Sequence, residues 1–133
     1  MSADELTARE IIDRHAAAWN DGEMEALEDL YQADAVMNGP RDWPENRERL
    51  GWDEIRGQYD DLRSPWSFDA SEILEFEARD DRSVGRFRWQ MRGKDSEIEL
   101  DQELSFSSRI EDGKIAEIHY FRDHADARAH FEQ

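Results

Sequence analysis

The sequence predicts an α+β fold, with helices packed on one face of a curved antiparallel sheet. Two observations carry this. Over residues 4–32 and 52–62 the apolar residues recur at three- and four-residue spacing, and after Ser64-Pro65 they alternate. A third observation supports the sheet: one hairpin can be aligned by its charges alone.

The elements follow in chain order. Residues 4–21 read as a helix, because Ala8, Ile11, Ile12, His15, Ala16 and Trp19 share one face and Asp21-Gly22 is a stop signal. Residues 23–32 read as a shorter helix with Leu27, Leu30 and Tyr31 inward. Residues 33–39 read as a strand. Residues 40–50 hold Pro40, Pro44 and Trp43 among charges, so they form an irregular loop. A third helix is expected over 52–62, with Ile55, Tyr59 and Leu62 on one face. Strands are expected at 66–79, 83–92, 96–110 and 114–122. Their turns fall at Asp80-Asp81-Arg82, Gly93-Lys94-Asp95 and Asp112-Gly113. Residues 124–131 read as a terminal helix or tail.

Folding 83–92 onto 96–105 brings Arg92 to Glu97, Arg88 to Asp101 and Arg86 to Glu103. Three opposite-charge pairs in one register mark the solvated column. The inner column is then Gly85, Phe87, Trp89 and Met91 opposite Ile98, Leu100, Gln102, Leu104 and Phe106.

At 133 residues the chain, 1–133, is expected to be a single domain able to bury a core. It has no cysteine, which excludes disulfides and thiolate chemistry. The polar start, MSADELTAREI, and the lack of a long apolar run predict a cytoplasmic location. A net charge of -17 repels phosphate and anionic lipid, so neither nucleic acid nor membrane is an expected partner. Lys94 and Lys114 are the only lysines, against fifteen arginines. High acid with little lysine fits adaptation to high salt, and equally a GC-rich genome that favours arginine codons.

With this order in place, the chain resembles the nuclear-transport-factor-2-like superfamily, and within it SnoaL-like and ketosteroid-isomerase-like domains. The residues that carry the resemblance are HAAAWNDGEMEALEDLYQADAVMNGP, GWDEIRGQY and RIEDGKIAEIHYF. It implies a cone, in which the curved sheet wraps three N-terminal helices and leaves a pocket, and a homodimer through the outer sheet face. Isomerases of this family carry a tyrosine donor on the first helix, an Asp base at the end of the first strand and a protonated Asp donor on a central strand. In this chain the first two positions hold His15 and Gly39, and the third falls on Gln102 counted from the Gly93 turn or nearer Phe106 counted back from Gly113. The acid that other members carry on the last strand is replaced by Tyr120. The family's usual acids are therefore missing. The tyrosines that tie the helix-one donor in some isomerases correspond to Tyr31 and Tyr59, so a His15–Tyr59–Tyr31 network is expected.

Two readings stand. In the first, the protein is a small-molecule enzyme acting on a hydrophobic, carbonyl-bearing or polycyclic substrate without a cofactor. His15 would carry the proton and Gln102 and Tyr120 would polarise the substrate. Trp19, Met37, Tyr59, Trp66 and Trp89 would form its ligand-binding wall. In the second, the same fold is a non-catalytic ligand-binding or protein-interaction domain, and His15 is a core histidine. His15, His119, His124 and His130 have no metal-ligand spacing, so no metal is expected. On the last strand Ile115, Glu117, His119 and Phe121 are expected to face the outer, dimer side.

Overall fold

The computed structural model describes residues 3–45, 47–94 and 97–133. The chain forms α1 (Ala3–Asp21), α2 (Met24–Glu28), β1 (Tyr31–Asn38), β2 (Arg49–Leu50), α3 (Trp52–Arg63), β3 (Trp66–Arg79), β4 (Arg82–Gly93), β5 (Glu99–Glu111), β6 (Lys114–Phe121) and α4 (His124–Phe131). The strands make one sheet in the order β2-β1-β6-β5-β4-β3. It is a mixed sheet, because β1 runs parallel to β6 while its other neighbours pair antiparallel. Parallel pairing needs a long crossover, and here everything from β2 to β5 supplies it.

Helix α1 ends where the sequence signals. Gly22 has φ 72°, and the Gly22 and Glu23 amides donate to the Trp19 and Ala18 carbonyls, a cap that only a left-handed residue closes without strain. Helix α2 is shorter than predicted. The Leu30 carbonyl accepts from the Ile115 amide and Tyr31 pairs with Ile115, so β6 draws Tyr31 into the start of β1. The loop before α3 also yields a two-residue strand, β2, paired with Val36 and Met37.

The β4–β5 register differs from the charge-aligned one by two residues: Arg92 pairs with Glu99, Arg88 with Glu103, and Trp89 with Gln102. A shift of two preserves the faces. The ladder still forms, with Arg88 reaching Asp101 and Arg86 reaching Glu103 diagonally, while Arg92 takes Glu99 in place of Glu97. The predicted Gly93-Lys94-Asp95 turn lies partly outside the described residues.

Ile115 is a correction. It was expected on the outer face, but the pairing slips between Arg109–Glu117 and Ile110–Ile115, and Ile115 is fully buried in the main core. The outer face is also not left bare. Phe121 packs with Val84, Ala127 and Phe131, and the His119 and His130 rings lie 4.4 Å apart. Ser105 and Ser107 hydrogen-bond His124 and His130 of α4 at 2.8 and 2.9 Å. The apolar set that suggested a partner is thus covered in part by the chain's own last helix.

Candidate functional site

The inner face of the sheet and the three N-terminal helices enclose the main core, and within it lies a cavity of about 60 Å³. Its wall is mostly apolar, and the polar side chains that reach it are few: His15, Tyr59, Tyr120 and Ser71 among them. Helix periodicity puts His15 there, since it lies one turn above Trp19 on the inward face of α1. Strand alternation puts Ile118 and Tyr120 there from β6.

The polar groups are joined. Tyr31 Oη lies 2.7 Å from His15 Nε2, 2.6 Å separates Tyr31 Oη from Tyr59 Oη, and 2.8 Å separates Tyr59 Oη from Tyr120 Oη. This unbroken chain spans α1, β1, α3 and β6, and three of its four members line the cavity. It contains the predicted His15–Tyr59–Tyr31 network, reordered so that Tyr31 sits between the other two, and extended by Tyr120. Burial drives the His15 pKa down from 6.5 to about 4, opposed weakly by a backbone hydrogen bond. The imidazole is therefore neutral at pH 7, with one nitrogen donating and the other accepting. Burial also raises the pKa of Tyr31, Tyr59 and Tyr120 well above the ordinary tyrosine value, so all three remain neutral hydroxyls. A chain of neutral groups can reverse its hydrogen-bond direction with no buried charge. One direction presents a Tyr120 O–H to the cavity, and the other presents its lone pair.

Of the other predicted site residues, Trp19, Tyr59 and Trp89 line the cavity; Met37, Trp66 and Gln102 do not. Met37 is packed in the core at 1% exposure, and Trp66 is half-buried against the core's edge. Gln102 shares the face of Trp89, but its amide oxygen accepts from Arg122 at 2.7 Å, so it is held at the exposed rim.

Sequence reading passed over two features. The first is Asp69 on β3. It is buried, and it accepts from the indole nitrogens of Trp19 at 2.6 Å and Trp89 at 3.0 Å and from Arg63 Nε at 3.1 Å. Arg63 also stands over the Trp19 ring at 4.5 Å. One carboxylate thus fixes two walls of the cavity. The available signal was its phase: Asp69 falls on the same side of β3 as Ser71 and Ile73. The second is the role of Trp43, which the sequence left open between a lid and an exposed loop residue; it lines the cavity, with its ring 5.1 Å from that of Tyr120 and tilted by 42°. Nothing in the local pattern of that loop indicates its direction. Among the described residues, no cluster of His, Cys, Asp or Glu is arranged to hold a metal ion. Nor is any described helix long and apolar enough to cross a membrane.

Comparison with known proteins decides the family. The model of the SnoaL-like domain matches residues 12–118. The chain belongs to the SnoaL-like family. Among solved structures, this SnoaL-like chain is similar to TerC co-crystallised with polyporic acid, at 16% identity and TM-score 0.78, covering 96% of this chain and 99% of that one. It is similar at TM-score 0.78 and 12% identity to a nuclear-transport-factor-2-like protein of unknown function from Burkholderia pseudomallei, with both chains covered in full, 100% and 100%. It also resembles a SnoaL-like protein from Jannaschia described as a candidate polyketide cyclase, at TM-score 0.80 and 15% identity, covering 98% and 95%. At such identities the likeness establishes the fold. Among curated proteins, none matches this sequence.

Proposed function

We propose that this SnoaL-like protein binds a small, largely apolar, carbonyl-bearing molecule in its cavity and moves protons to and from it by acid–base chemistry of its own side chains. The observation that supports this is the hydrogen-bonded chain from His15 through Tyr31 and Tyr59 to Tyr120, lodged in an otherwise apolar wall. His15 is the proton carrier, since a neutral imidazole accepts at one nitrogen as it donates at the other. Tyr120 is the polarising donor to the carbonyl oxygen, and Trp19, Tyr59 and Trp89 hold the ligand's apolar body. Gln102, engaged by Arg122, is left out of the set. That TerC was crystallised with a small organic acid is consistent with a ligand pocket in this fold.

The test is deuterium exchange at the α-carbon of cyclohexanone, followed by NMR in D2O. The protein should accelerate exchange, and His15→Phe should abolish the acceleration while the fold is retained, because the ring refills the volume. Exchange at the solution rate despite binding would support the second reading, a ligand-binding domain without catalysis. Gly39 favours that second reading, for it leaves the end of β1 with no acid. A homodimer through the outer sheet face is also proposed, around the area that α4 covers. Light scattering at micromolar concentration should give twice 15.7 kDa.

A further inference from the structure

The end of β1 has a further peculiarity. A Cβ built on Gly39 would stand 2.3 Å from Trp43 Cε3, 2.9 Å from Cζ3 and 3.0 Å from Cδ2. No real side chain tolerates that approach, so the Trp43 indole occupies the space that any side chain at residue 39 would need. The same indole lines the cavity, lies 5.1 Å from the Tyr120 ring and is buried at 7% exposure. The loop holds it there from both sides. Arg122 binds the Asp42 carboxylate through two nitrogens, at 3.2 and 2.6 Å. The buried Gln58 donates to the Pro44 carbonyl at 3.1 Å, and the buried Arg49 donates to the Glu45 carbonyl at 2.9 Å. Among the described residues, the indole N–H itself has no hydrogen-bond partner. An unpaired buried donor is unfavourable, so ring packing and the anchored loop, not a hydrogen bond, keep Trp43 in place.

We infer that Trp43 is the specificity-determining residue of this pocket. Its indole, seated over Gly39, limits the ligand to a single ring. The inference rests on the proposed ligand-binding reading and deepens it. A cavity of about 60 Å³ leaves no room for a second fused ring beside the Trp43 indole. The rest of the wall includes β-sheet side chains and the indoles of Trp19 and Trp89, which Asp69 pins. Trp43 comes from the loop between β1 and β2, so a single substitution can remove its part of the wall while the helices and the sheet stay in place. Its removal would extend the cavity along Tyr120 toward Gly39, and the ligand class would change from a one-ring to a fused two-ring ketone.

The experiment compares the affinities of cyclohexanone and 2-tetralone, by calorimetry, for the wild-type protein, Trp43→Phe and Trp43→Ala. The ratio of the two affinities should move toward 2-tetralone by about tenfold or more in Trp43→Ala, the scale on which a pocket reads added apolar bulk. Trp43→Phe should fall between. Should Trp43→Ala fail to fold by circular dichroism, the Trp43→Phe shift decides alone. An unchanged ratio in the folded variants, with cyclohexanone still bound, overturns the inference and leaves the ligand-binding reading standing. Binding of neither ketone to the wild-type protein or to Trp43→Phe overturns both. A shifted ratio in a protein that fails to exchange α-protons supports the inference and removes only the catalytic half of the reading.

Discussion

The two faces of the sheet treat polar groups in opposite ways. On the inner face they are few, neutral at their hydroxyls and imidazole, and joined end to end from His15 to Tyr120, with one carboxylate, Asp69, sealed by three donors. On the outer face they are many and charged, paired as Arg86 with Glu75 and Glu103, Arg88 with Asp101 and Arg92 with Glu99, all open to water. Water screens the outer pairs to near irrelevance, whereas burial magnifies every inner one. The difference teaches where to look: the outer face carries the ion-pair ladder, and the inner face carries the buried polar network and the cavity.

The largest effect expected from breaking that contrast is at Asp69. Asp69→Ala leaves two indole N–H groups and a guanidinium without their acceptor, and should cost about 3 kcal/mol in denaturant unfolding. It should also shift tryptophan fluorescence, because Trp19 and Trp89 lose their common anchor. Next is the acid limb of the stability curve. The His15 pKa is about 4 in the fold against 6.5 for the free side chain. Above pH 6.5 neither state holds the proton. Between 6.5 and 4 the unfolded chain takes a proton that the folded chain refuses, so stability falls as pH falls, by up to about 3 kcal/mol, and levels below 4. His15→Phe should lack this component, which unfolding measured at pH 7, 6 and 5 will reveal.

Tyr31→Phe should follow at about 2 kcal/mol, because it breaks the chain in the middle, leaving His15 Nε2 without this partner and the Tyr59 hydroxyl with Tyr120 alone. At the small end, Arg88→Ala on the outer ladder should change stability by less than about 1 kcal/mol, since both partners are about half exposed. A cost at Arg88 equal to that at Tyr31 would erase the distinction between the faces.

Much of this was legible in the sequence, for local reasons. Element order follows from a change of period at Ser64-Pro65; the His15–Tyr59–Tyr31 network was expected from the family resemblance, while its extension to Tyr120 was not. The mixed sheet was hidden because β1 and β6 are far apart in sequence and neither strand records whom it pairs with. Ile115 was misplaced because a slip in pairing reverses alternation and leaves no mark in composition. Gln102 was assigned to the pocket by its strand phase, which is right, but its amide turns to Arg122, twenty residues on and beyond the strand's own pattern. The side of β3 that Asp69 takes was readable from its phase, but its partners Trp19, Trp89 and Arg63, like the direction of Trp43, depend on contacts between distant elements that no periodicity reports.

The most direct test of the inner-face account is the state of the His15 ring, read from its 15N resonances in labelled protein. The chain of hydroxyls predicts a neutral imidazole down to about pH 4, with a tautomer balance that shifts when cyclohexanone binds and that no longer responds in Tyr59→Phe. A ring that titrates near 6.5, or whose tautomer responds identically with Tyr59 and with Phe at that position, would contradict it.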